Sequence, residues 1–128
     1  MEEALIALLA GNGTLTGLVG DRLSWGSREQ GAALPAVTLN AISGGPIYSD
    51  EGEVGLDDIR VQIDCWASTL TSAKAVGRAV RAVISGFHDA TFRYVTLDAI
   101  RDMREGGANQ ADYEYRVSMD FIILSGSA

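Results

Sequence analysis

The side chains that most often carry out chemistry are scarce in this sequence of 128 residues. His88 is the only histidine and Cys65 the only cysteine. A histidine-based metal centre or a Ser-His-Asp triad would have to use His88, which follows Phe87 in the turn after a predicted helix. We interpret His88 as an exposed or capping residue. The patterns G-x-S-x-G, G-x-x-x-x-G-K-[ST] and G-x-G-x-x-G, which mark nucleophile and phosphate sites, do not occur.

Two further groups of residues could in principle act on a ligand. Cys65 alternates with Val61 and Ile63 on the apolar side of a predicted strand, which favours a buried, unreactive thiol. Residues 43–58 contain five acidic residues and no basic one, so their carboxylates could bind a divalent cation. Their spacing does not match the EF-hand pattern, and we interpret the segment as a solvated acidic loop. The sequence thus predicts no catalytic, cofactor or metal residues.

The composition bounds the class of protein. The sequence is 47% hydrophobic and 21% charged, which is typical of a globular protein, and its length predicts a single domain over residues 1–128. A formal net charge of −7 disfavours nucleic acids and anionic membranes as binding partners. The lone cysteine excludes an intrachain disulfide, and the acidic start Met1-Glu2-Glu3 is not typical of a signal peptide, so we expect an intracellular product.

Alternating hydrophobicity predicts the strands. Four lie over residues 34–42, 59–67, 92–101 and 112–123, and a short extra strand is possible over residues 23–25. The glycine-rich, acidic residues 43–58 predict a long mobile hairpin loop between the first two strands, and residues 104–111 predict a second hairpin loop.

Helical spacing of apolar residues predicts two helices, over residues 2–10 and 72–85, and a further short helical turn over residues 15–19. For the second helix, Ser68 or Thr71 is the predicted N-cap, and Gly86 follows its end. The predicted fold class is therefore α+β: a mostly antiparallel sheet of four to five strands with two helices packed on one face.

Large apolar and charged side chains outside this core are candidates for contacts with other subunits. Trp66 lies on the strand face opposite Ile63 and Cys65, so it is either an interface residue or packed on the second helix. The acidic segment and a basic helix face are two surface patches of opposite charge. The candidate interface residues are Trp25, Ile47, Tyr48, Asp50, Glu51, Glu53, Trp66, Lys74, Arg78, Arg81 and Arg104.

The order and spacing of several segments resemble the tail completion, or tail terminator, proteins of long-tailed phages and of phage-derived gene transfer agents. An N-terminal leucine helix followed by a turn that ends in Leu18-Val19-Gly20 is typical of that family. The other segments that carry the resemblance are residues 22–26 leading into residues 31–37, the strand Arg60-Val61-Gln62-Ile63-Asp64-Cys65-Trp66-Ala67 with the helix around residues 73–83, and Tyr115-Arg116-Val117-Ser118-Met119-Asp120-Phe121. Together they cover nearly the whole chain.

The resemblance implies a structural role without enzyme activity or cofactor. Such proteins form a ring, commonly a hexamer, at the head-proximal end of the tail tube, where the ring stops tube polymerisation and joins the tube to the head. The implied partners are further copies of the chain, the tail tube protein and the head completion or connector protein, with DNA passing through without specific binding and no membrane. We expect the protein in the neck region of the tail of a virion or phage-like particle, and in the host cytoplasm during assembly.

Other interpretations stay open at this point. A head-side completion or adaptor protein of the same particle is also small and ring-forming, although such proteins are often more helical. A small enzyme or carboxylate metal-binding protein would use the acidic residues 43–58. A toxin, immunity or other binding module would be unrelated to phage.

Overall fold

The computed structural model describes residues 2–26, 33–106 and 113–126. Within these ranges the chain forms three helices and five strands. The helices are α1 (Glu2–Ala10), α2 (Gly13–Val19) and α3 (Leu70–Ile84). The strands are β1 (Leu23–Trp25), β2 (Ala36–Ser49), β3 (Gly52–Ala67), β4 (Phe92–Glu105) and β5 (Glu114–Gly126).

The five strands form one mixed sheet in the order β1-β2-β3-β5-β4. The pairs β2–β3, β3–β5 and β4–β5 are antiparallel, whereas β1 runs parallel to β2 from Leu23↔Val37 to Trp25↔Leu39. The α+β prediction is consistent with this architecture, but the sheet is mixed and not purely antiparallel. Residues 26–35 separate β1 from β2 in the sequence, and a parallel pair of strands cannot be joined by a two-residue hairpin.

Helix α2 is the third helix, where the sequence predicts only a short turn. Its N-cap is Asn12, whose side-chain oxygen accepts a hydrogen bond from the backbone N–H of Leu15 at 2.9 Å. Leu15 and Val19 are fully buried. A capping bond and two buried side chains are enough to complete a seven-residue helix that would be marginal alone.

Helix α3 begins earlier than its hydrophobic stripe indicates. Its N-cap is Thr69, whose Oγ1 accepts a hydrogen bond from the N–H of Ser72 at 3.1 Å, so the predicted caps Ser68 and Thr71 are both wrong. The first helical residue, Leu70, is 38% exposed and does not belong to the buried stripe, which explains the error. At the other end Gly86 has a φ of +78° and follows the C-cap residue as predicted.

The helices pack on one face of the sheet. Helix α3 lies on β3 and β5, and α1 and α2 pack against α3. The same face of the sheet supplies alternate residues of every long strand to the core. The largest fully buried side chains include Leu5, Leu9, Leu15, Val37, Leu39, Ile63, Ile84, Met119, Phe121 and Ile123.

Strands β2 and β3 extend together past the rest of the sheet. We call residues 43–58 the outer hairpin: its ladder runs from Gly45↔Asp58 through Pro46↔Asp57 to Ser49↔Gly52. The prediction of a loop here is wrong, because the glycines occupy positions inside the ladder. A Cβ on Gly44 would lie 2.7 Å from the carbonyl oxygen of Asp58, so glycine permits the strands to approach at that point.

The predicted hairpin loop over residues 104–111 also begins too early. Arg104 and Glu105 belong to β4 and pair with Tyr115 and Glu114 of β5. Residues 107–112 lie outside the described residues. The last strand, predicted over residues 112–123, is observed as Glu114–Gly126.

Candidate interface surfaces

Neither residue considered for catalysis has a reactive setting. Cys65 is fully buried on the apolar face, as its alternation predicts, and burial raises the pKa of its thiol. His88 is exposed, with its Nδ1 3.5 Å from the carbonyl oxygen of Gly86. Within the described parts of the chain, no three His, Cys, Asp or Glu side chains are grouped so that they could hold a metal ion. None of the described helices has the length and apolar character needed to cross a membrane.

The outer hairpin exposes apolar and acidic side chains together. Tyr48 is 66% exposed and Val54 45% exposed, while Ile47 is partly buried. Asp50 and Glu51 form the turn, and the three remaining acids lie on β3. The acidic residues of the hairpin are Asp50, Glu51, Glu53, Asp57 and Asp58. The hairpin thus combines an aromatic tip with a concentrated negative charge.

Residues 43–49 of β2 and residues 52–55 of β3 pair with each other and have no further neighbouring strand among the described residues. On one side β1 pairs with β2 only as far as Leu39. On the other side β5 ends its pairing with β3 at Gly126↔Leu56. Unpaired backbone N–H and C=O groups on such edges can bind a further strand. The β2 edge carries no charge, because residues 33–49 contain no Asp, Glu, Lys or Arg.

A second surface is a groove between α3 and β4, which we call the α3–β4 groove. Its volume is about 210 Å³. Its floor is apolar and consists of Gly77, Ile100, Val117 and Met119. Gly77 brings the helix close to the sheet, since a Cβ there would lie 3.3 Å from Cγ1 of Val117. Ile100 is 48% exposed although its strand neighbour Met119 is buried.

The rim of the α3–β4 groove is basic. It is bordered by the three basic residues of the solvent-exposed face of α3, which are Lys74, Arg78 and Arg81. Lys74 forms a salt bridge with Asp102 of β4, with 3.3 Å between Nζ and Oδ2. No salt bridge to Arg78 or Arg81 is found among the described residues, so two guanidinium groups face solvent beside an apolar floor.

A third surface is the face of the sheet that carries no helix. It carries a cluster of ion pairs: Asp120 accepts hydrogen bonds from Arg101 and Arg60, and Arg60 also contacts Asp98. The hydrogen bonds from Arg101 are the main reason that the pKa of Asp120 is lowered, and burial opposes the shift. Asp98 is the extra residue at the irregularity between Leu97 and Ala99, which points its carboxylate at Arg60.

Trp66 lies on this same face and therefore does not pack on α3. Its indole N–H donates to Oγ1 of Thr38 at 3.0 Å, and the guanidinium of Arg116 lies 4.9 Å from its ring centre. Arg116 also reaches Asp64 at 3.8 Å and Glu105 at 3.0 Å. The half-buried Trp66 is thus held within its own chain, with part of its surface open to solvent.

Two other predicted interface residues make contacts inside the chain. The indole N–H of Trp25 donates to the backbone oxygen of Glu2 at 3.2 Å, and its ring packs against the core. The guanidinium of Arg104 lies 4.4 Å from the ring centre of Tyr113. Neither residue lies in the outer hairpin or borders the α3–β4 groove.

The structure brings together residues that are far apart in the sequence. It also reveals surface residues that the sequence patterns do not indicate. Lys74, Arg78 and Arg81 share one groove, and Ile47, Tyr48 and the acids share one hairpin. Ile100 and Gly77 of the groove floor are missed. Ile100 looks like an ordinary strand residue in a period-two pattern, and only the packing of α3 shows that it stays half exposed.

Comparison with known proteins identifies relatives by sequence model and by fold. Residues 3–124 match the family model described as tail completion protein gp17, which confirms the resemblance noted in the sequence. No curated protein sequence matches the chain. A chain in a solved structure titled "Virion of native gene transfer agent (GTA) particle" superposes with a TM-score of 0.75 at 18% identity, covering 98% of this chain and 94% of that chain. At that identity the match shows a shared fold.

Proposed function

Because the chain belongs to the tail completion protein gp17 family, we propose that it is a structural subunit of a hexameric ring at the head-proximal end of a phage-like tail tube. The ring stops polymerisation of the tube and joins it to the head connector. The observation that carries this proposal is the family match over residues 3–124. A chain of the same fold in the virion of a gene transfer agent supports a place in such a particle.

The polar chemistry of the chain suits a subunit without a catalytic step. Asp64 and Asp120 are buried carboxylates, and both are engaged by arginine side chains on the helix-free face. Cys65 is buried and His88 is exposed away from the groove and the hairpin. The ion pairs of Asp64 and Asp120 stabilise the sheet, so the proposed activity is binding to other subunits.

Ring formation requires two different complementary surfaces on each subunit. The outer hairpin is acidic and the rim of the α3–β4 groove is basic. We expect the double variant Arg78→Glu, Arg81→Glu to weaken assembly most strongly at low salt, because screening weakens exposed charge pairs. Sedimentation at two salt concentrations measures this; assembly equal to wild type at low salt would rule out the charge pairing.

The net charge of −7 also suits a ring through which DNA passes. Like charges repel, so an acidic subunit does not retain the phosphate backbone. The proposed position is the neck of the particle, with assembly in the host cytoplasm. The expected partners are the tail tube protein on one side of the ring and the head connector on the other.

Deletion of the gene tests the proposed function directly. Electron microscopy of the particles should show overlong tails or separate heads and tails, because nothing ends the tube or joins it to the head. The matched control is the same deletion complemented by the wild-type gene. Tails of normal length joined to heads in the deletion would refute the proposal.

The position in the particle is tested separately. Purified protein should bind to the ends of isolated tails and, once bound, make them competent to join heads. Binding to isolated heads alone would indicate a head-side adaptor. Deleting residues 46–53, which form the tip of the outer hairpin, should leave the monomer folded and block joining, since no core residue lies in that segment.

A further inference from the structure

The α3–β4 groove has the chemistry of a docking site for a short acidic segment with an apolar side chain. Its floor of Gly77, Ile100, Val117 and Met119 excludes water from one side. At its rim stand the guanidinium groups of Arg78 and Arg81, which form no salt bridge within the described part of the chain. A volume of about 210 Å³ lies below the roughly 300–1,000 Å³ of small-molecule sites. The groove therefore fits one or two side chains of a protein better than a cofactor.

The outer hairpin presents the matching chemistry on the same molecule. Tyr48 is the most exposed of the large apolar side chains described, and the acidic turn Asp50–Glu51 follows it after Ser49. Tyrosine is enriched at interface centres because it fills an apolar pocket and retains a hydrogen-bonding hydroxyl. A tyrosine on the groove floor with carboxylates at the arginine rim satisfies both parts of the groove.

The hairpin cannot reach the groove of its own chain. Ile100 and Met119 lie level with Ile63 of β3 in the sheet register. The turn at residues 50–51 lies about twelve residues before Ile63, just before β3 begins. That separation is about 40 Å at the usual rise per residue of a strand. A contact between hairpin and groove must therefore join two molecules.

We infer that the α3–β4 groove binds the tip of the outer hairpin of a second copy of this chain, with Tyr48 on its apolar floor and Asp50 and Glu51 facing Arg78 and Arg81. This inference rests on the proposed ring and specifies its contact. The two surfaces differ, so each subunit uses its hairpin on one neighbour and its groove on the other. Such head-to-tail contacts close into a ring or continue as a filament.

Variants of exposed residues test the contact without disturbing the core. Ile100→Glu places a negative charge on the groove floor and should weaken self-association about tenfold or more, as loss of an interface anchor does. Tyr94→Glu is the matched control, because Tyr94 lies on the same strand with 45% exposure and outside the groove. Ile100→Lys should weaken association less than Ile100→Glu, because its charge attracts the hairpin.

Mixing two defective variants gives the decisive measurement. A chain without residues 46–53 keeps its groove, and the Ile100→Glu chain keeps its hairpin. Each should stay monomeric alone in sedimentation velocity, and an equimolar mixture should form a dimer and nothing larger, since each pair has only one working contact. Circular dichroism of each variant checks that it is folded.

The outcomes separate this inference from the proposed function. The contact would be overturned if the Ile100→Glu variant formed oligomers of the same size as the wild type. It would also be overturned if the two variants stayed monomeric when mixed although the wild type assembles. Either result would leave the proposed ring intact. Normal self-association of Ile100→Glu with lost binding to tails would assign the groove to the tail tube protein, which also overturns the inference. The gene deletion tests the function independently of any groove variant.

Discussion

Strands β2 and β3 form one hydrogen-bonded ladder whose two halves lie in different surroundings. In the inner ladder, residues 36–41 of β2 pair with residues 61–66 of β3, and Val37, Leu39 and Ile63 are fully buried under the helices. In the outer hairpin the pairing continues, but Tyr48 and Val54 face solvent.

The difference shows that backbone pairing and burial are separable. A two-stranded ribbon alone is marginally stable in water. The outer hairpin therefore depends on the inner ladder for its order and contributes little to the core. Packing of the core does not constrain its side chains, so they can contact other molecules, as we propose.

The largest expected difference is between core truncations in the two halves of β3. Ile63→Ala should lower the free energy of unfolding by about 2–5 kcal/mol, because it leaves a cavity in a close-packed core. Val54→Ala, on the same strand, should change it by less than about 0.5 kcal/mol, because Val54 is half exposed. Urea unfolding of both variants measures this, and similar losses would show that the hairpin shares the core.

The next effect concerns the glycine that lets the hairpin strands approach. Gly44→Ala places a Cβ 2.7 Å from the Asp58 oxygen and 2.9 Å from Cα of Ile59, so the outer strands must shift, at a cost of about 1–3 kcal/mol. The neighbouring Gly45→Ala meets nothing within 4 Å and should be nearly neutral. Amide hydrogen exchange should speed up over residues 46–53 only for Gly44→Ala; equal exchange in both variants would contradict the close approach.

A smaller effect is expected from the ion pairs of Asp120 on the helix-free face of the sheet. The lowered pKa of Asp120 means that its contribution is complete above its ordinary value of 3.8 and is lost as the pH falls through the folded value. Asp120→Asn should therefore cost on the order of 1 kcal/mol at pH 7 and less at pH 2. Thermal unfolding at both pH values measures the difference, and a cost that does not depend on pH would contradict the assigned role.

The last prediction concerns the accessibility of thiols in the two halves of the ladder, and it involves the smallest change in the free energy of unfolding. Cys65 should resist alkylation in the folded protein, because its thiol is buried and its pKa is raised by burial. A thiol introduced by Ser49→Cys in the exposed hairpin should react at the rate of a free thiol. Mass spectrometry of both sites over time tests the comparison, and fast labelling of Cys65 would indicate frequent opening of the inner ladder.

Period-two and helical patterns predict most of the fold, because burial on one face imposes them. The strands around Ile63 and Phe121 and the helix that contains Val80 are found where the sequence predicts them. The outer hairpin is not predictable in this way, since no buried face gives residues 43–58 a pattern and their glycines resemble a loop. The parallel pairing of β1 depends on tertiary contacts that three residues cannot encode.

The candidate surfaces are predictable in part. Charge alone reveals the acidic segment and the basic face of α3, because exposed charges need no partner to be recognised. The apolar floor beneath Arg78 and Arg81 requires residues from α3, β4 and β5, which meet only in the folded chain. Whether Trp25, Trp66 and Arg104 also contact other subunits stays a prediction, and their contacts within the chain account for their packing.

The acids of the outer hairpin have a consequence for the symmetry of assembly. The uncharged edge of β2 is open to an identical strand, and that pairing would give a two-fold dimer and occupy the hairpins. In such a pair the carboxylates of the two β3 strands would lie three strand spacings apart, about 14 Å, so their repulsion is screened at physiological salt, where the screening length is about 8 Å, and is felt at about 0.01 M salt, where it is about 30 Å. At low salt the repulsion disfavours this dead-end pair and leaves a basic surface as the accessible partner, so the charge on β3 favours head-to-tail over two-fold association.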